Sequence, residues 1–164
     1  MEIEEKRKGI KNIVKNLIMF IIGTVVCIPL YYIRGDDRHF INLIGGFIFL
    51  TTSISNCWFK IKPHGKELLW ESLIITVLVY FIEITTRVID VIILKSNIWT
   101  SANHNLSLWS TEMYMIVFFM WYCHVLCAII LADSFDYYYI KKYDNPPCYT
   151  FLKDKIFKLP ERRK

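Results

Sequence analysis

The sequence predicts an all-α fold, an integral membrane four-helix bundle followed by a basic cytoplasmic C-terminal tail. Hydrophobic residues make up 54% of the 164 residues, and they concentrate in four apolar segments joined by short connections. Charged residues cluster between these segments, as they do at the flanks of membrane spans. A soluble domain of this length needs more polar surface, since much of its area faces water. The second and fourth segments also lack the polar stripe of a soluble bundle helix.

Each apolar segment is long enough to cross a bilayer, which takes about 20 mostly apolar residues in a helix. The predicted spans cover residues 13–33, 40–59, 68–94 and 113–132. They form a transmembrane domain over residues 1–139, and residues 140–164 form the basic tail. No small-x-small cleavage site follows the first span, so we expect it to stay in the chain rather than act as a signal peptide. Lys15 lies near the start of this span, where we expect it to snorkel towards the headgroups.

The lysines and arginines predict the orientation of the chain. With four spans, 16 of the 20 fall in the N-terminal flank, the second loop and the tail, whereas three fall in the other two loops. By the positive-inside rule both termini are cytoplasmic, and we expect a multi-pass protein of a bacterial inner membrane. The basic flanks should bind anionic lipid headgroups. They also account for the net charge of +5, so no nucleic-acid partner is predicted.

The third segment carries ionisable residues where a lipid-facing helix would have none. Glu83, Arg87 and Asp90 are spaced i, i+4 and i+7, with Thr86 beside them, and therefore share one helix face. An uncompensated Asp or Arg at mid-bilayer costs about 2.5–3.5 kcal/mol, so this face should point to the bundle interior or to a wet cavity. The pattern fits two interpretations. One is a proton or ion pathway, or an embedded binding site; the other is a structural ion network that locks the helices together.

The second segment carries a polar face that could meet this ionic cluster. Small and polar residues recur on it at helical spacing: Asn42, Gly46, Ser53 and Asn56. Such residues let helices approach closely and hydrogen-bond across the contact, although they could also line a polar conduit. We expect this face to contact the face that carries Glu83.

The fourth segment contains Cys123, His124 and Cys127, and cysteine and histidine are the residue types found in zinc and redox sites. Zinc takes four ligands, or three and a water, and Cys-x-x-x-Cys in a helix is not a recognised zinc spacing. We therefore predict no metal and no cofactor. The thiols are expected to be small packing residues, and His124 is expected to hydrogen-bond to a neighbouring helix.

Several catalytic motifs are absent from the sequence. It has no G-x-x-x-x-G-K-[ST], no H-E-x-x-H and no G-x-S-x-G, so it carries no ATPase of the P-loop type. The favoured function is a transport-related or accessory membrane component that works with another membrane protein or a separate ATPase. One alternative is a structural or regulatory interaction protein. The other is a membrane-embedded enzyme, for which Glu83, His124 and Cys123 are the only candidates.

A resemblance to a known family covers residues 45–139. The residues that carry it are Gly45-Gly46-Phe47, Glu83 with Thr86, Ile98-Trp99, Trp121, and Ala132-Asp133. In these the chain resembles a group of small bacterial membrane proteins, the ABC-transporter permeases of the CmpB type. The resemblance implies a multi-span helical topology and a role in transport, with the ATPase on a separate chain.

Overall fold

The computed structural model describes residues 2–28, 40–55, 67–89, 92–93, 111–152 and 155–162. Four helices dominate it: α1 at Glu2–Val26, α2 at Phe40–Ser55, α3 at Leu68–Ile89 and α4 at Thr111–Ser134. A π-helical turn at Phe135–Tyr139 continues α4 directly. Two short antiparallel strands follow, β1 at Cys148–Leu152 and β2 at Lys155–Lys158. The helical fold is therefore confirmed, whereas the β-hairpin lies within the predicted basic tail and was not predicted.

Three helical segments are long and apolar enough to cross a membrane: Lys6–Val26, Leu68–Thr85 and Met115–Tyr139. The apolar part of α2, Leu43–Ser55, is shorter. The predicted second and third spans continue into residues 56–59, 90–91 and 94, which lie outside the described residues. Residues 29–33 of the predicted first span also lie outside the described residues. Helix α1 extends beyond the predicted first span at its N-terminal end, where its Glu-, Lys- and Arg-rich sequence favours helix without burial, and α4 continues past residue 132 into the π turn.

Helix α4 lies at the centre of the fold and buries two stripes of side chains. Each stripe advances by four residues, so each member lies about 40° further round the helix than the one before it. The first stripe shares a core with α3, the hairpin, Cys27 and Ile48, and consists of Val117, Trp121, Val125, Ile129 and Asp133. The second packs against α1 and α2 and consists of His124, Ala128, Ala132 and Asp136. Both stripes thus end in a buried carboxylate at the same end of the bundle.

Helices α1 and α2 approach each other closely where glycines face one another. A Cβ placed on Gly45 would lie 2.7 Å from the carbonyl oxygen of Gly23 and would overlap the sulfur of Cys27. A Cβ on Gly23 would come within 2.8 Å of the Phe49 side chain. Neither contact is possible without movement of a backbone, so only glycine permits this separation of the two helices.

The hairpin packs onto the end of the bundle that carries the two carboxylates. Tyr149 of β1 and Leu159, just after β2, are buried and belong to the same core as Leu68 and Ile129. Tyr149 pairs with Phe157 across the two strands, and their rings stack with centroids 6.0 Å apart. The segment between π turn and hairpin starts with Lys141 at φ 58°. This part of the tail is therefore folded against the helices.

Replacing Gly45 by alanine should destabilise the α1–α2 contact, because the added methyl group meets Cys27 and the backbone of Gly23. We expect a loss of about 1–3 kcal/mol in the free energy of unfolding, as for other overpacked contacts. Thermal unfolding in detergent measures it. The matched control is Gly9→Ala, since nothing lies within 4 Å of a Cβ at Gly9 and alanine is the better helix former there. A Gly45→Ala protein as stable as wild type would contradict the proposed close packing.

Candidate functional site

Glu83 lies in the interior of the bundle, beside the central helix α4. It belongs to the second half of α3, and its side chain is 5% exposed. The indole N–H of Trp121 donates a hydrogen bond to its carboxylate. Because Trp121 is part of the first stripe of α4, the packing of α3 on α4 is what brings the two groups together. The carboxylate is thus buried, and the indole of Trp121 is one of the groups that hold it in place.

His124 lies one turn further along α4, on the second stripe. Its Nδ1 is 2.8 Å from the carbonyl oxygen of Met120, so Nδ1–H donates a hydrogen bond to that oxygen. The imidazole is buried between the rings of Phe49 and Trp121, at centroid distances of 6.4 and 5.7 Å. Within the part of the chain that the structure describes, Nε2 has no hydrogen-bond donor. The expected bond to a neighbouring helix is therefore wrong, because the ring bonds to its own helix.

Helix α3 also presents a line of buried polar groups that leads from its first turn to Glu83. Ser72 and Thr76 are completely buried, and Tyr80 is partly buried. The spacing of four, four and three residues keeps these side chains and Glu83 on one face. The Thr76 hydroxyl donates to the Ser72 carbonyl oxygen at 2.7 Å. Glu71, in the first turn of α3, is buried at the start of this line.

The other predicted members of the Glu83 cluster cannot be placed. Asp90 and the side chains of Thr86 and Arg87 lie outside the described residues. The same holds for Asn56 and the side chain of Asn42 on the predicted polar face of the second segment.

The described part of that polar face contacts α1 rather than α3. The Ser53 hydroxyl donates to the Asn16 side-chain oxygen at 2.9 Å, and a Cβ on Gly46 would collide with Phe20 and Thr24. For Gly46 and Ser53 the predicted contact with the Glu83 face is therefore wrong. The cause is the glycine contact, which directs this side of α2 to α1.

The two cysteines of α4 do not join His124. Cys123 and Cys127 are exposed on the outer side of the helix, whereas the imidazole is buried. Across the described ranges, no group of three or more His, Cys, Asp or Glu side chains is placed to hold a metal ion. Cys123, the third candidate for an enzymatic site, is thus separated from Glu83 and His124.

Buried charges lie at the far end of α4, and they were not predicted from the sequence. Asp136, within the π turn, forms an ion pair with Lys15 of α1, whose Nζ lies 2.8 Å from Oδ1 of the carboxylate. The second carboxylate oxygen lies 3.8 Å from the ammonium of Lys142. Lys15 does not snorkel; its side chain is buried, because α1 extends far enough to place it beside Asp136. A signal that could have found Asp136 is its spacing of four residues from Ala132, which places it about 40° from that small residue around the helix.

Asp133 ends the first stripe and holds the hairpin. The hydroxyl of Tyr149 donates to its carboxylate at 2.6 Å, and both side chains are buried. Burial raises the pKa of Tyr149 above its ordinary value, and the negative charges of Asp133, Glu71 and Asp136 raise it further. The neutral phenol is thus the form that the folded hairpin stabilises.

Comparison with known families, curated proteins and solved structures adds no relative: no family model, no curated protein and no solved structure matches the chain. The resemblance to CmpB-type permeases stays a prediction. The candidate site combines the buried carboxylate of Glu83, the indole of Trp121 that donates to it, the buried ring of His124 next to that indole, and the polar line along α3.

Alkaline pH should loosen the hairpin. A raised pKa in the folded state means that Tyr149 contributes stability below its unfolded pKa of 10.0 and loses that contribution as the pH rises above it. Tyr149→Phe should destabilise hairpin docking by about 1.5–3 kcal/mol, the range for a hydrogen bond to a charged group, and should remove this part of the pH dependence. Limited proteolysis of the tail between pH 8 and about pH 11 measures both effects.

The matched control is the variant Tyr138→Phe. In wild type the Tyr138 hydroxyl donates to the Pro160 carbonyl oxygen at an exposed position, and the variant removes this bond. It should keep the alkaline transition of wild type. Identical pH profiles for wild type and Tyr149→Phe would contradict the assignment of this transition to Tyr149.

Proposed function

We propose that the chain is a multi-pass membrane protein with both termini in the cytoplasm. Three helical segments of sufficient length and apolarity support insertion, as do their many exposed apolar side chains. The bundle itself supports the orientation. Lys11 and Lys15 of α1 contact Tyr139 and Asp136 after α4, so the N-terminal half of α1 and the C-terminal hairpin lie at one end. The excess of lysine and arginine at this end favours the cytoplasmic side.

Fusion of a reporter to the C-terminus tests this orientation in a bacterial host. A green fluorescent protein fused after residue 164 should fluoresce in the membrane fraction, whereas an alkaline phosphatase fused there should stay inactive, because that enzyme matures only outside the cytoplasm. The reverse pattern would contradict the proposed topology. Recovery of the fluorescence in the soluble fraction would contradict membrane insertion.

Within this membrane setting we propose a transport-related role, carried by the buried carboxylate of Glu83. An ionised carboxylate in an apolar interior is costly unless it is paired or protonated, so such groups commonly mark ion or proton pathways. The indole N–H of Trp121 donates a hydrogen bond to the carboxylate and positions it. The ring of His124 lies next to that indole, with the two centroids 5.7 Å apart. We propose that the carboxylate held in this way exchanges a proton.

The polar line on α3 supports the same role, because it connects Glu83 with the cytoplasmic end. Ser72 and Thr76 hydroxyls are buried between that end and the carboxylate, where apolar residues would pack as well. Hydroxyl groups can relay protons or solvate a small cation. We propose that a proton or a small cation is what moves, and that any energy from ATP comes from a separate ATPase chain.

Proteoliposomes loaded with a pH-sensitive dye test this proposal. Under an imposed potassium diffusion potential, wild type should conduct protons, and Glu83→Gln should fall to the leak rate of protein-free vesicles. The substitution keeps an oxygen that accepts the Trp121 hydrogen bond, so the packing is preserved. Glu67→Gln is the matched control: it makes the same change at an exposed position just before α3 and should conduct like wild type.

Equal flux in wild type and Glu83→Gln would contradict the role of Glu83. A wild type that conducts no more than empty vesicles would contradict ion movement by this chain alone. If such an inactive chain co-purified with a second membrane protein in fixed ratio, a structural or regulatory role would be favoured. The exposed outer face of α3, with Trp70, Phe81 and Ile82, offers the surface for that alternative.

A further inference from the structure

The height of the hairpin relative to the helices follows from one hydrogen bond. Tyr149 of β1 bonds to Asp133, which lies six residues before the end of the apolar segment at Tyr139. At 1.5 Å per residue, this contact lies about 9 Å inside that end. The hairpin is therefore packed beside the last turns of α4, at the level of lipid headgroups, rather than beyond them.

Two apolar side chains of β2 are exposed at this level, one on each face of the hairpin. Ile156 lies opposite Thr150, on the face that points away from the buried Tyr149, and it is 69% exposed. Phe157 lies on the same face as Tyr149 and stacks on it, but remains 41% exposed. A soluble hairpin would place two exposed apolar side chains in water, whereas at headgroup level they can meet acyl chains.

Positive charge flanks these two residues. Strand β2 begins at Lys155 and ends at Lys158, whose side chain is 53% exposed. Glu161 lies 3.3 Å from Lys158, but a pair as exposed as this one is weak and can be replaced by another anion. Over residues 140–164 there are eight lysines and arginines against three acidic residues. The tail therefore carries the charge that matches an anionic headgroup.

We propose that the hairpin is an interfacial lipid-binding element of the cytoplasmic leaflet. Ile156 and Phe157 enter the boundary between headgroups and acyl chains, and Lys158 binds the phosphodiester of an anionic phospholipid. The proposal rests on the membrane insertion proposed above. A lipid is favoured over an acidic cytoplasmic protein because the apolar residues lie beside the helices, at the height where those helices meet the bilayer.

Hydrogen–deuterium exchange of the full chain in nanodiscs tests the proposal. Amides of residues 148–158 should exchange about fivefold more slowly in discs with phosphatidylglycerol than in discs of phosphatidylcholine alone. Combining Ile156→Ser with Lys158→Gln should remove this difference, and the hairpin should still dock, because both side chains are exposed and Tyr149 is untouched. The matched control, Lys8→Gln with Ile10→Ser, makes the same changes on an exposed part of α1 and should keep the difference.

Equal exchange of the wild-type hairpin in the two kinds of disc overturns the proposal. Retention of the difference in the Ile156→Ser, Lys158→Gln protein overturns the assignment to these residues. Exchange in the helices is read in the same experiment. Suppose that exchange is slow in both kinds of disc for two apolar segments, Leu68–Thr85 and Met115–Tyr139, and that hairpin exchange does not depend on lipid charge. The lipid-binding proposal is then contradicted, whereas membrane insertion is supported. If the helices are unprotected, membrane insertion fails as well.

Discussion

The buried ion pair between Lys15 and Asp136 is the contact on which the arrangement of the bundle depends. Removing a charge from water costs several kcal/mol, and this cost is offset only when an opposite charge is held close. Asp136 sits at the end of α4, Lys15 in the middle of α1 and Lys142 at the start of the tail. Three parts of the chain therefore converge on one carboxylate. Because neither charge can be left alone in the interior, α1 cannot slide along α4 without losing this pair.

The rest of the fold follows from the two stripes of α4. The stripe that ends at Asp136 meets α1 and α2, and the one that ends at Asp133 meets α3 and the hairpin. The π turn lies where both stripes end, and the amide of Ile140 bonds to the carbonyl of Phe135 within it. This wider turn buries Asp136 and Tyr137 as neighbours. Arg162 then lies over the Tyr137 ring, 4.4 Å from its centroid, and joins the end of the tail to the helix.

The helical fold could be predicted because four long apolar segments are a strong signal, and burial of Glu83 could be expected from the cost of an exposed carboxylate. The packing of α2 against α1 could not be predicted, since Gly46 and Ser53 suit any close contact between helices. Only the shape of α1 makes it the partner of this face. The hairpin was hidden because the lysines and arginines of residues 140–164 suggested only a basic tail that binds anionic headgroups. Asp136 was hidden among tyrosines typical of an interfacial belt, and only its spacing of four residues from Ala132 suggests the interior.

Helices α3 and α4 differ in the buried side chains that lie between the level of Glu83 and the cytoplasmic end. Along α4, Trp121 and Asp133 are about 18 Å apart, and the residues between them on that stripe, Val125 and Ile129, are buried and apolar. No proton can pass along such packing. Along α3 the same distance is lined by the Ser72 and Thr76 hydroxyls. If Glu83 exchanges a proton with the cytoplasm, the route therefore follows α3, and the Tyr149–Asp133 bond holds the hairpin at the end of that route.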